Sequence, residues 1–184
     1  MTDLMEKTLD ATTIYDGRIV RLEVLNVELP DGRKVRREVA RHCQAVAILA
    51  RRPDGKFIFV RQYRKPIDAA ILEIIAGCME AGEEPEVSAR REVAEETGYD
   101  VVKMKKLTSI VSSPGFCDEI LHLFYAELTP RAHAQDQDPD ENVYAVEFTE
   151  EEITQLILGG EISDAKTIAA WGYYQLARQN RLLE

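Results

Sequence analysis

The chain has 184 residues, 45% of them hydrophobic and 30% charged, which fits one globular domain with a small accessory element and excludes a disordered chain. Its 23 Lys and Arg against 33 Asp and Glu leave a formal net charge of −10. That balance argues against broad nucleic-acid binding or attachment to anionic membranes, both of which need exposed cations, but leaves open a polyphosphate held through bound metal ions.

In chain order, residues 14–42 read as strands. IVRLEVLNVELP alternates apolar and polar residues, PDG at Pro30–Gly32 marks a turn, and KVRREVARH returns. So polar a hairpin buries little alone and has to pack on the main domain or on a second subunit. QAVAILARRPDGKFIFVRQYR is a second strand–turn–strand unit, and AILEIIAG a short buried strand ending at Gly77. A helix is expected from Pro85, apt for a first helical turn, to a C-terminal cap at Gly98. Strands follow over 101–111, 121–128 and 143–148. Thr149 and Glu152 form a T-x-x-E capping box, opening a helix that Gly159–Gly160 ends. Ser163 or Asp164 caps a last helix whose Ile168, Trp171, Gly172 and Gln175 share one side, which places Trp171 in the core. RAHAQDQDPDENVY is polar and turn-rich, hence a surface loop. The fold class is a mixed α/β sandwich carrying a strand-rich N-terminal region. The boundary is set at 1–43 for that region and 44–184 for the main domain. With no apolar run in MTDLMEKTLD and no stretch long enough to span a membrane, a cytoplasmic protein is expected.

The helix expected after Pro85 is unusually acidic. Successive helical residues turn by about 100°, so Glu92, Glu95 and Glu96 fall within a third of the circumference, beside an arc of Ala89, Val93 and Thr97 that can face the core. Two readings fit. Carboxylates at i, i+3 and i+4 on the border of a packed face make a hard-cation site for Mg2+ or Mn2+. Alternatively the face is merely solvated, its acids paired with Arg90 and Arg91.

Spacing separates the two readings. Gly77, five residues, Glu83, seven residues and then REVAEETGY fit G-x5-E-x7-R-E-U-x-E-E-x-G-U, where U is bulky and apolar; Tyr99 is the one mild departure. The stretch resembles the signature of the Nudix hydrolases, and the resemblance implies an α/β/α sandwich with a mixed sheet. It implies that Glu92 and Glu96 bind metal, that Glu95 is a further ligand or water-orienting base, and that the carbonyl of Ala76 joins them. Arg91 would pair with Glu83 and pin the loop to the helix. Carboxylates at this density suit diphosphate hydrolysis, where cations neutralise developing phosphoryl charge.

Outside that box, SSPGFCDE (Ser112–Glu119), with Pro114 sixteen residues after Gly98, resembles the ADP-ribose pyrophosphatase subgroup, as do FVRQYR, LEIIAG and DAKT at Asp164–Thr167. The resemblance implies Mg2+-dependent (or Mn2+-dependent) cleavage of ADP-ribose or a related nucleoside diphosphate sugar, GDP-mannose included. Arg64 would reach a substrate phosphate, Glu73 and Glu119 the ribose or base, with Pro114 on the same loop. The resemblance also implies an acidic residue from a later loop as catalytic base or extra metal ligand, with Glu141 the first choice ahead of Asp138 and Asp140. The same resemblance implies a homodimer that exchanges its N-terminal strands between subunits, with the hairpin Ile19–Val39 as the candidate dimer element. A non-catalytic Nudix sensor is the reading from a different class.

Overall fold

The computed structural model describes residues 4–132 and 143–183, and the chain divides into two compact units. One comprises the residues up to Gln44 together with Val111–Ile120; the other comprises Ala45–Ile110 and the residues from Leu121 onward.

The first unit is a three-stranded sheet in the order β1 (Lys7–Asp16), β2 (Arg21–Glu28), β3 (Lys34–Arg41), antiparallel throughout. The β2–β3 hairpin closes at the expected PDG turn, where Leu29 N donates to Arg33 O at 2.8 Å. Strand β1 is a finding beyond the sequence reading, which began the strands at Ile14. All ten of its residues are exposed, and two register shifts, between Thr8 and Asp10 and between Thr13 and Tyr15, break its phase against β2. A strand that buries neither face and carries bulges leaves no period-two signal. The segment Val111–Ile120 is tied to β3: Ala40 N donates to Phe116 O at 2.7 Å, and Asp118 N to Ala40 O at 3.3 Å.

The second unit is built on a mixed seven-stranded sheet. Its path runs β10 (Val143–Phe148), β5 (Phe57–Arg64), β4 (Ala45–Arg51), β9 (Ile120–Ala132), β8 (Tyr99–Val111). Strand β4 pairs parallel with β9 and antiparallel with β5. Six of the seven residues of β4 are buried, and their alternation defines both faces of the sheet. Ala45, Ala47 and Leu49 join Phe57, Phe59, Leu123, Trp171 and Tyr174 in one core. Val46, Ile48 and Ala50 join Ile58, Val60, Phe124, Ala89 and Val93 in the other. With α1 (Pro85–Thr97) in the second core, and α2 (Glu150–Leu158) and α3 (Ala165–Gln179) in the first, the sheet is the middle layer of an α/β/α sandwich. Truncating a fully buried side chain here, such as Leu49→Ala, would cost roughly 2–5 kcal/mol.

Three local expectations are refined. AILEIIAG is two strands, not one: β6 (Ala69–Glu73) pairs with β5, and β7 (Ile75–Cys78) pairs with β4. The chain changes partner at Ile74, whose backbone N–H donates instead to Thr167 Oγ1 at 3.0 Å. Apolar residues continue on both sides of Glu73, so the sequence pattern does not reveal such a change of partner. In α3 the buried stripe is Thr167, Ala170, Trp171, Tyr174 and Ala177, so Trp171 is core as expected while Ile168 lies outward. The helix caps follow the sequence: Thr149 and Glu152 form the capping box of α2, and the Asp164 side chain accepts from Thr167 N to cap α3.

Candidate active site

Helix α1 begins at Pro85 and ends at Gly98, whose φ of +71° is the left-handed cap that glycine adopts without strain. Its core-facing residues are Ala89, Val93 and Thr97, all buried. Beside that arc Glu92 and Glu96 are also buried, at 8% and 6% exposure, and one Glu96 carboxylate oxygen, Oε2, is sealed from solvent. The Glu95 side chain is 40% exposed. The stripe is therefore no solvated helix face: two of its three carboxylates lie inside the protein boundary, where an uncompensated charge is costly.

Glu92 reaches across to β7. A Cβ built on Gly77 would stand 2.1–2.2 Å from all three atoms of the Glu92 carboxyl group, so only glycine leaves room for that carboxylate against the strand. Ala76 immediately precedes it, in register with Ala47 of the central strand. The first glycine of the box and Glu92, expected to be a metal ligand, thus meet in space, fifteen residues apart in sequence.

Arg91 gathers the acids. Its Nε and Nη2 donate to the two oxygens of Glu83, at 3.2 and 3.1 Å, and its Nη1 donates to Glu92 at 2.7 Å and Glu95 at 3.0 Å. Nη2 also reaches the Cys78 carbonyl, at 3.3 Å, which fastens the loop before α1 to the end of β7. Glu83 in turn accepts from Glu80 N at 3.0 Å. The Arg91 hydrogen bonds, then that backbone N–H, hold the Glu83 carboxyl down to about 2. Glu83 is a counter-charge for Arg91, and the expected Arg91–Glu83 staple is present. Glu80, Glu84 and Glu86 lie toward solvent, and Glu86 pairs with Arg90 at 2.8 Å.

A second cluster involves the ends of β5 and β6 and the start of α3. Arg64 forks onto Glu73, Nε to Oε1 at 2.6 Å and Nη2 to Oε2 at 2.8 Å. Glu73 is 1% exposed and also accepts from Lys166, which Asp164 holds at 3.1 Å. Burial pushes the Glu73 carboxyl up, but the hydrogen bonds and positive charges of Arg64 and Lys166 outweigh it and leave it below its ordinary value. Arg64 is held charged first by its bond to Glu73, with the fields of Glu73, Asp164 and Glu96 adding to it. Sequence reading did not single out Lys166, although DAKT, which contains it, was the available signal.

The structure therefore places Arg64, Glu73, Ala76, Glu92, Glu95 and Glu96 in one unit. Glu73, expected on ribose or base, has both oxygens engaged by protein cations. Pro114 is exposed on a turn of the other unit, and Glu119 there is half-buried with its carboxylate 3.4 Å from His42 Nδ1. Glu141, Asp138 and Asp140 lie outside the described residues.

The donor set of α1 is hard oxygen, which suits a small divalent cation, and Gly77 leaves the recess in which the Glu92 carboxylate lies. Residues 41–171 match the family model described as NUDIX domain. The chain is 46% identical over 177 residues, 96% of either chain, to a protein named ADP-ribose pyrophosphatase from Bacillus subtilis (strain 168). It is also 46% identical, over 93% of each, to a methanol dehydrogenase activator from Bacillus methanolicus. A GDP-mannose pyrophosphatase from Yersinia enterocolitica is 36% identical over 72% of this chain and 73% of its own length. Among solved structures, one described as an ADP compounds hydrolase superposes with a TM-score of 0.83 over 98% of both chains at 19% identity, a likeness of fold. The family match spans well over half of the sequence and contains the whole acidic helix, and the chain accordingly belongs to the Nudix family.

Proposed function

We propose that the chain hydrolyses the pyrophosphate bond of ADP-ribose or a related nucleoside diphosphate sugar in a divalent-metal-dependent reaction, releasing a nucleoside monophosphate and a sugar phosphate. The observation that carries this reading is the seat of Glu92 against Gly77, which fixes one carboxylate of the α1 stripe beside Ala76. The relative named ADP-ribose pyrophosphatase, alike over nearly the full length, supports the substrate class.

Glu92, Glu95 and Glu96, with the Ala76 carbonyl, would hold Mg2+ or Mn2+. Such ions, when bound, neutralise charge on the diphosphate and make a bound water acidic. Glu95, the most exposed of the three, is the side chain able to meet an attacking water and accept its proton, and Glu96 is the buried ligand. Glu141 remains the proposed additional base. Arg91 keeps Glu92 and Glu95 oriented through one guanidinium nitrogen. Arg64 addresses a substrate phosphate with the edge of its guanidinium turned away from Glu73. Pro114 and Glu119 are proposed to shape the nucleoside end.

The wholly exposed β1, with Leu9, Ile14 and Tyr15 uncovered, supports a homodimer in which N-terminal strands are exchanged. GDP-mannose is a second substrate candidate, favoured by the relative of that name. A regulatory reading has the relative named as a dehydrogenase activator behind it, but the complete set Glu92, Glu95 and Glu96 favours hydrolysis. A panel of nucleoside diphosphate sugars incubated with Mg2+ and with Mn2+, followed by product identification, tests the proposal. Release of AMP from ADP-ribose is expected, and binding without release from any compound would favour the regulator.

A further inference from the structure

Glu73 is an odd residue to bury at the end of a strand. Its side chain is 1% exposed, and its two oxygens take Arg64 Nε at 2.6 Å, Arg64 Nη2 at 2.8 Å and the Lys166 ammonium. The cluster is tied to the backbone nearby. Asp164, which holds Lys166, accepts from Thr167 N at 3.0 Å and Thr167 Oγ1 at 2.6 Å, and Thr167 Oγ1 accepts from Ile74 N, the residue after Glu73. At 1% exposure the carboxylate is closed to a sugar hydroxyl as it stands. Nor is stability a sufficient reason for it, since a buried ion pair is often no better than apolar side chains of the same volume.

Arg64 supplies the reason. Its side chain is 40% exposed, and its two bonds to Glu73 leave Nη1 without a hydrogen bond among the described residues. A guanidinium is planar and rigid, so fixing the Nε–Nη2 edge fixes the direction in which the Nη1 edge points. We infer that Glu73 is a positioning residue acting through Arg64: it holds the guanidinium so that its free edge meets a phosphate of the substrate. This inference rests on the proposed hydrolysis. It revises the part expected of Glu73, from direct contact with ribose or base to orientation of the phosphate-binding arginine. Arg64 held in advance spares the complex the ordering of a long, rotamer-rich side chain.

A double-mutant cycle with ADP-ribose as substrate tests it. Glu73→Gln should raise KM roughly 10- to 100-fold with a smaller change in kcat, since a charge-assisted bond that orders the binding arginine is weakened. In an Arg64→Ala background the same substitution should change kcat/KM by less than about twofold, because the group it positions is already gone. Additive losses, or a wild-type KM in Glu73→Gln, would overturn the inference. A merely structural Glu73 would lower the melting temperature without this coupling. If Glu73→Gln does not fold, Arg64→Lys decides the matter: it keeps the charge and loses the fork, so its KM should lie within about threefold of that of Arg64→Ala. A wild-type KM there would overturn the inference too. Absence of turnover by the wild-type enzyme on every nucleoside diphosphate sugar would instead remove the functional reading, and the inference with it.

Discussion

A Cβ added to Gly77 would stand 2.1 Å from the carboxyl carbon of Glu92. Gly77→Ala therefore has to drive Glu92 away from β7, since the three heavy atoms nearest the new Cβ all belong to the Glu92 carboxyl group. The expected result is a folded protein whose affinity for Mn2+ falls roughly 10- to 100-fold, the range found when the support of a metal ligand is removed. Calorimetric titration with Mn2+ alone measures this without reference to turnover.

Glu96→Gln conserves volume and removes one charge from a buried site. Hydrolysis should fall by at least about 100-fold, the scale of a lost electrostatic contribution at a reacting centre. Circular dichroism and melting should show the fold retained, and near-normal turnover would refute the metal role.

Glu83 gives a pH signature. A carboxyl whose pKa is lower in the folded than in the unfolded chain adds stability above its unfolded value and loses it as pH falls through its folded value. For Glu83 that window runs from 4.5 down to about 2. The melting-temperature difference between wild type and Glu83→Gln should be fully present at neutral pH, shrink below pH 4.5 and vanish toward pH 2. A difference that does not vary with pH would show that Arg91 draws nothing from the Glu83 charge.

Thr149→Ala removes the side-chain acceptor for Glu152 N and breaks the α2 capping box. Urea denaturation should show a loss of about 1 kcal/mol with an unchanged m-value.

If β1 is completed by a second copy, placing charge on its apolar residues will separate the subunits. Ile14→Glu with Tyr15→Glu should convert a dimer into a monomer by light scattering after gel filtration, while α1 and its neighbours stay folded. An unchanged dimer mass would place the subunit contact elsewhere.

Much of this molecule could be read from the sequence, because local chemistry governs it. Pro85 and Gly98 bracket α1, Thr149 and Glu152 open α2, and the continuous apolar run of residues 45–50 marks a strand buried on both faces. The acidic stripe was readable because helical spacing alone puts Glu92, Glu95 and Glu96 together. What stayed hidden depends on contacts distant in sequence. Strand β1 is uncovered and bulged, so its pairing with β2 left no pattern. The break at Ile74 reflects a change of strand partner and a bond to Thr167, 93 residues away. The engagement of Glu73 by Arg64 and Lys166 is likewise tertiary, which is why Glu73 looked like a ligand for substrate.

The most direct test of the central claim is a crystal structure with Mg2+ and a non-cleavable analogue of ADP-ribose. The account predicts cations bound by Glu92 and Glu96 next to Ala76, bridging the two phosphates. Metal or diphosphate found elsewhere, with Glu92 and Glu96 still bonded only to protein, would contradict it.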